Sequence, residues 1–103
     1  MAENYKFEKE AETDLNNAFD WYENKQKGVG DKFVKNTLQK IRSVSKKPDK
    51  YSTFYKDFRK APIYKFPYNL VYRIQDKLVY IFAVWHKSRS QKKLTKRIEK
   101  PQL

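Results

Sequence analysis

The chain has 103 residues and a formal net charge of +12, from 24 Lys and Arg against 12 acids, so it is of single-domain size, 1–103, and strongly cationic. With 39% hydrophobic and 17% aromatic residues it has the material for a core, which excludes disorder. Zero cysteines exclude disulfides and thiolate sites, and one histidine, His86, cannot build a histidine cluster, so neither a metal nor any other cofactor is expected.

Reading from the N-terminus, Tyr5-Lys6-Phe7 alternates and can add a strand. Ala11, Leu15, Ala18, Phe19 and Tyr22 recur at the spacing of one helical face. No Ser or Asn caps that helix, but Glu8, Glu10, Glu12 and Asp14 crowd its first turns, where negative charge meets the positive end of the dipole. Gly28 and Gly30 lack the rest of any phosphate-binding fingerprint and are read as the joint between two helices. A second stripe runs through Val34, Leu38, Ile41 and Ser45, flanked by Phe33, Thr37 and Val44, and ends at Pro48. So short a joint predicts an antiparallel helix hairpin.

Beyond Pro48 the chain becomes rich in Val, Ile, Tyr and Phe, and three antiparallel strands are predicted at about 58–65, 68–74 and 78–85. Pro67 falls between two of them, and Gln75-Asp76-Lys77 is short enough for a hairpin turn. The last strand is apolar on both faces, which predicts a central position. Residues 87–100 form a basic tail in which Leu94 and Ile98, four apart, can dock a short helix. The expected fold is α+β: a helix hairpin on one face of a small antiparallel sheet, in β-α-α-β-β-β order, followed by a basic tail or short helix.

The charge follows the same division. Residues 1–50 hold 11 basic and 9 acidic side chains, whereas residues 51–103 hold 13 basic and 3 acidic. A half-domain so cationic attracts polyanions with steep salt dependence, and equally an acidic protein segment. A lysine-rich solvated surface with no ligand is the plain alternative. The longest apolar run, residues 78–85, falls short of the about 20 residues of a membrane span. Residues 1–8 carry no apolar signal core, so a soluble, cytoplasmic protein is expected.

Several segments, in order, resemble the RelE/ParE superfamily of bacterial type II toxins. They are Ala11-x-x-Asp14-Leu15, Trp21-Tyr22, Gly28-Val29-Gly30-x-x-Phe33, Pro48, Arg59, Phe66-Pro67-Tyr68-x-Leu70-Val71-Tyr72, and Ile81-x-Ala83-Val84-x-His86-x-x-Arg89. The similarity runs from about residue 5 to residue 97, and its Phe66-Pro67-Tyr68 and His86-x-x-Arg89 segments look closest to the ParE-like branch. It implies a growth-inhibiting toxin neutralised by a cognate antitoxin, with one of two targets: DNA gyrase, or messenger RNA cut on the ribosome. A degenerate member that only binds its antitoxin is a third possibility. Fold analogy does not choose among them.

RNA cleavage needs a base for the 2′-hydroxyl, cations around the phosphate and an acid for the leaving oxygen. Arg59, Arg73, Lys87 and Arg89 are candidate cations. Arg59 and Arg73 lie on separate predicted strands and Arg89 just beyond a third, so they meet on one sheet face if the register allows. His86 is the candidate proton-transfer group, or else a strand-end histidine packed beside Trp85 and hydrogen-bonded locally. RNA-cleaving relatives often carry a tyrosine or histidine soon after the position of Arg89, whereas here the chain continues Ser90-Gln91-Lys92-Lys93-Leu94-Thr95, which tilts the reading towards gyrase. Lys87, Lys92, Lys93, Lys96 and Arg97 are candidate partner or nucleic-acid contacts, and Trp21 and Trp85 a candidate exposed patch for the antitoxin. Tyr64 and Tyr72 have the chemistry to stack on bases, but strand tyrosines mostly pack. Ser88 and Ser90 sit in no nucleophile-elbow motif, which speaks against a serine hydrolase.

Overall fold

The computed structural model describes residues 5–100. Its elements are β1 (Tyr5–Phe7), α1 (Lys9–Lys25), α2 (Val29–Lys46), a 3-10 turn (Pro48–Lys50), β2 (Thr53–Tyr55), β3 (Phe58–Pro62), β4 (Tyr68–Gln75), β5 (Leu78–His86) and α3 (Gln91–Glu99). The strands form one sheet in the order β1-β5-β4-β3-β2. It is antiparallel except at β1, which runs parallel to β5 with Tyr5 opposite Val79. The strand that is apolar on both faces is interior, between β1 and β4.

The helix hairpin rests on its two glycines for different reasons. Gly28 has φ +93°, a left-handed conformation that a side chain disfavours. Gly30 is a matter of space, because a Cβ there would lie 2.7 Å from the Phe19 carbonyl oxygen and 2.8 Å from the Phe19 ring. The carboxylate of Glu23 accepts hydrogen bonds from the backbone N–H groups of Gly28 (3.0 Å) and Gly30 (2.9 Å), giving α2 an N-terminal cap supplied from α1.

Two apolar layers flank the sheet. On one face the hairpin buries Ala11, Ala18, Phe33, Ile41 and Val44 against Leu70, Tyr72, Ile81 and Val84. On the other, Leu94 and Ile98 of α3 pack with Phe58, Val71, Phe82 and Trp85. The alternation along β5 changes phase once. Val71 is opposite Ala83 and Tyr72 opposite Ile81, which leaves Phe82 as the extra residue of a bulge and puts it on the α3 side together with Ala83.

The strand expected at 58–65 stops at Pro62. The Phe66 N–H turns back to the Ile63 carbonyl (3.3 Å), and Lys65 takes a left-handed φ of 66°. β2 is an added edge strand of three residues, too short to show an alternation of its own. The β4–β5 turn is Asp76-Lys77, with both residues at positive φ as a two-residue hairpin requires. Ser90 caps α3 by accepting from the Lys93 N–H (3.2 Å).

Candidate functional site

Asp14 is an acid on the apolar side of α1, between Ala11 and Leu15. Its position is explained by β5: the parallel pairing with β1 ends at Ile81, so beyond that point β5 has an open edge. Asp14 fills it, accepting from the Val84 N–H at 3.0 Å. The same carboxylate takes a bidentate pair from Arg97, 2.6 Å from Nη1 to Oδ2 and 3.0 Å from Nη2 to Oδ1. Arg97 Nε reaches Glu10 at 3.3 Å, and its guanidinium lies 5.0 Å from the centre of the Trp85 ring. With side-chain exposures of 9% for Asp14 and 14% for Arg97, this is a desolvated and well-satisfied ion pair, joining α1, β5 and α3.

Beside it opens a cleft of about 520 Å³ between the second half of α1 and the ends of β4 and β5. Asp14, Trp21 and Tyr22 line one wall, and Tyr68, His86 and Arg89 the other. Its lining residues Tyr22 and Tyr68 belong to an aromatic cluster in which Tyr22 meets Phe66 at 5.0 Å and Phe33 meets Tyr68 at 5.0 Å, both edge to face. Trp21 stands over it, 55% exposed, edge-on to Tyr22 at 5.0 Å. Burial pushes the Tyr68 phenol above its ordinary pKa; the charge of Asp14 adds to the rise and Arg89 opposes it. Tyr22 is raised by burial and then by Tyr68. Both tyrosines therefore stay protonated at neutral pH, as hydrogen-bonding groups on an apolar wall.

His86 lies edge-on to Tyr68, ring centres 4.9 Å apart, rather than beside Trp85. Its Nδ1 accepts from the Ser88 backbone N–H at 3.0 Å and lies 2.8 Å from Ser88 Oγ. That geometry leaves the ring hydrogen on Nε2, the nitrogen free to face a partner. The Ser88 hydroxyl shares Nδ1 with its own backbone N–H, which makes the pair a turn at a strand end rather than a serine held by a base.

The predicted cations divide. Arg89 is exposed and stacks on Trp85 at 3.9 Å, at the rim of the cleft near His86. Arg59 is opposite Tyr72 on the hairpin side, where its Nη1 donates to the Tyr51 carbonyl. Beside it the Tyr72 hydroxyl donates to the Pro48 carbonyl at 3.0 Å, and burial pushes that phenol up to about 12. Arg73 is on the α3 side, 5.4 Å from the ring centres of Phe58 and Phe82, with Nη2 donating to Gln75 at 2.9 Å. Adjacent residues of a strand face opposite ways, so a register that sets Arg59 opposite Tyr72 sends Arg73 to the other face. The expected convergence of Arg59, Arg73 and Arg89 does not occur.

Of the basic tail, Lys87, Lys92, Lys93 and Lys96 are exposed, while Arg97 is engaged by Asp14 and Glu10. Trp85 is no surface patch: it is 4% exposed, because the bulge turns it under α3, and only Trp21 keeps the exposure expected of both. Asp14, Tyr22 and Tyr68 were not singled out as site residues. The signal for Asp14 was an acid on an apolar stripe; that for Tyr68 was its place beside Pro67 at a strand start. No group of three or more His, Asp or Glu among the described residues is arranged to hold a metal, and no helix there is long and apolar enough to cross a membrane.

The solved structure titled "Chromosomal ParDE TA system from P. aeruginosa" has a similar fold, with a TM-score of 0.70 at 15% identity over 82% of this chain and 95% of that one. Residues 5–91 match the family described as the ParE toxin of the type II toxin-antitoxin system, parDE, and the chain belongs to that family. The match takes in Trp21, Arg59, Arg73, Trp85, His86, Lys87 and Arg89, and ends at the first residue of α3. No curated protein matches the chain in sequence.

Proposed function

We propose that the protein is a cytoplasmic growth inhibitor that acts by binding DNA gyrase, and that a cognate antitoxin restrains it by covering the cleft around Trp21, Tyr68 and Arg89. The separation of Arg59 from Arg73 across the sheet carries the choice of target. Cleavage of a phosphodiester needs several cations on one phosphate, and here only Arg89 and His86 share a site, with His86 Nδ1 already accepting from Ser88. Inhibition by binding needs no such constellation, only a surface. The apolar, aromatic cleft beside Trp21 suits an amphipathic segment of an antitoxin, with Arg89 placed for an acidic side chain at its rim.

The test is a supercoiling assay with purified gyrase, run beside primer extension on a reporter message during cell-free translation. Inhibited supercoiling with an intact message is the expected result. Ribosome-dependent cuts within codons, with gyrase unaffected, would overturn the reading in favour of an endoribonuclease. Trp21→Ala and Arg89→Glu should weaken antitoxin binding at least tenfold, read by calorimetry. Unchanged affinity in both would remove the cleft from the antitoxin interface.

A further inference from the structure

Besides the exposed lysines of the C-terminal tail, a second set of cations without ion pairs in the described structure lies on α2 and the turn that follows it. Lys32, Lys35, Arg42 and Lys46 are exposed at helical spacings of three, seven and four, so they share one outer face, and Lys47 and Lys50 extend it past the helix end. None of these six forms an ion pair with a carboxylate in the described structure. At the C-terminal end of this face is a cleft of about 410 Å³ lined by Gln39, Arg42, Ser43, Lys46, Lys47 and Lys50, with no acid among them. A second hollow, of about 280 Å³, shares Gln39 and Ser43 with it and is closed by Asn36, Lys40 and Tyr64. The two adjoin at these shared residues and are together called the trough.

Tyr64 marks its far end. It is 65% exposed, the most exposed large hydrophobic side chain described, and Lys65 Nζ lies 5.4 Å from its ring centre. It lies past the end of β3, in a loop pinned to α2 by Asn36 Nδ2 donating to the Tyr64 carbonyl at 3.0 Å. An aromatic side chain held in water next to a cationic trough has no role in the core. The field there is positive enough to act on a phenol: the hydrogen bond from Lys40 (3.0 Å), with added help from Lys50, pulls Tyr51 below its ordinary pKa despite burial acting the other way. Cations near a helix C-terminus also offset its dipole. That accounts for Lys46 and Lys47 but not for Arg42 or the exposed tyrosine.

We infer that this trough binds a short single-stranded nucleic-acid segment, with phosphates along Arg42, Lys46, Lys47 and Lys50 and a base stacked on Tyr64. A basic groove that tracks the backbone, joined to an aromatic platform for a base, is the common means of holding single strands. A duplex offers no unstacked base for the tyrosine. An acidic protein would answer the charge but leave Tyr64 without its partner. Gln39 lines both hollows, so its side-chain amide is within reach of a base edge between them. The site shares no residue with the antitoxin cleft and stands whether or not gyrase is the target.

The experiment is fluorescence anisotropy of a labelled twelve-nucleotide single strand with the full chain, titrated at several salt concentrations. Arg42→Gln/Lys46→Gln/Lys47→Gln should weaken binding at least tenfold and lower the slope of log affinity against log salt by about 2, as expected for losing three contacts to a single strand. Tyr64→Ala should weaken it roughly tenfold, and Tyr64→Phe should keep it. Lys92→Gln/Lys93→Gln/Lys96→Gln, an equal loss of charge on α3, should leave affinity within about twofold. If the α3 variant costs as much as the α2 variant, if a duplex of the same length binds as tightly, or if Tyr64→Ala has no effect, the chain is only a diffuse polycation and the inference falls. Should the triple α2 variant fail to fold, the Tyr64 pair decides alone.

Discussion

The outer face of α2 and the face of α3 turned to the sheet carry similar side chains to opposite ends. On α3, Arg97 lies over Trp85 and is locked to Asp14, and at the helix end Glu99 takes Lys56 at 2.7 Å. On α2, Lys32, Lys35, Arg42 and Lys46 are exposed and form no ion pair in the described structure. The formal charge of a segment is therefore a poor guide to where a cationic field is free to act. Residues 51–103 hold most of the excess charge in the sequence. Yet acids brought in from α1 neutralise part of it, while in the nearly balanced N-terminal half most acids lie on α1 and only Asp31 shares the cationic face of α2.

The comparison breaks most sharply by removing one arginine from each region. Arg97→Ala strands Asp14 in a desolvated site and takes packing off Trp85, and should cost about 3 to 5 kcal/mol in urea unfolding. Arg42→Ala, a change of the same charge on α2, should stay within about 0.5 kcal/mol. Equal losses would mean that the Asp14–Arg97 pair is not desolvated in solution. Asp14→Asn separates charge from shape: it retains an acceptor for the Val84 N–H and loses the ion pair, so its cost should fall between those two.

The next effect lies in how each helix is attached. α3 is held to the sheet by Leu94 and Ile98, and Leu94→Ala should cost about 2 to 5 kcal/mol, through lost burial and the cavity left behind. α2 is held by close approach to α1, where Gly30→Ala should cost about 1 to 3 kcal/mol because the new methyl meets a backbone carbonyl that has no rotamer to give. A Gly30→Ala variant as stable as the parent, by thermal melting, would show that the hairpin opens freely at that joint.

The hairpin, the three main strands and the docking of Leu94 and Ile98 were all legible in the sequence, since each depends on a local period. What stayed hidden depends on register or on pairing at a distance. Whether Arg59 and Arg73 share a face follows from Arg59 falling opposite Tyr72, and a shift of one residue would reverse it. Trp85 appeared free for a partner because the bulge at Phe82 and the covering by α3 leave no mark in a pattern already apolar on both faces. The Glu23 cap on α2 spans a helix boundary, and the α2 stripe was masked by the acids of α1, which a count over residues 1–50 adds to it.

The smallest effect sharpens the view of what the hairpin side buries. Tyr72 is fully buried beneath the 3-10 turn, donates to Pro48, and has its pKa pushed up to about 12. An unfolded tyrosine ionises near pH about 10, so the folded chain holds this proton more tightly than the unfolded one. Its contribution is fully present below that pH and is lost as pH rises from about 10 towards 12. Tyr72→Phe removes both the proton and the hydrogen bond. The variant should be about 1 kcal/mol less stable at pH 8, and the gap should narrow in denaturant melts as pH climbs through that window. Lysines titrate there too, but equally in both proteins. Parallel stability curves up to pH 12 would mean that the Tyr72 hydroxyl reaches water, and that the turn at Pro48 does not seal this side of the sheet.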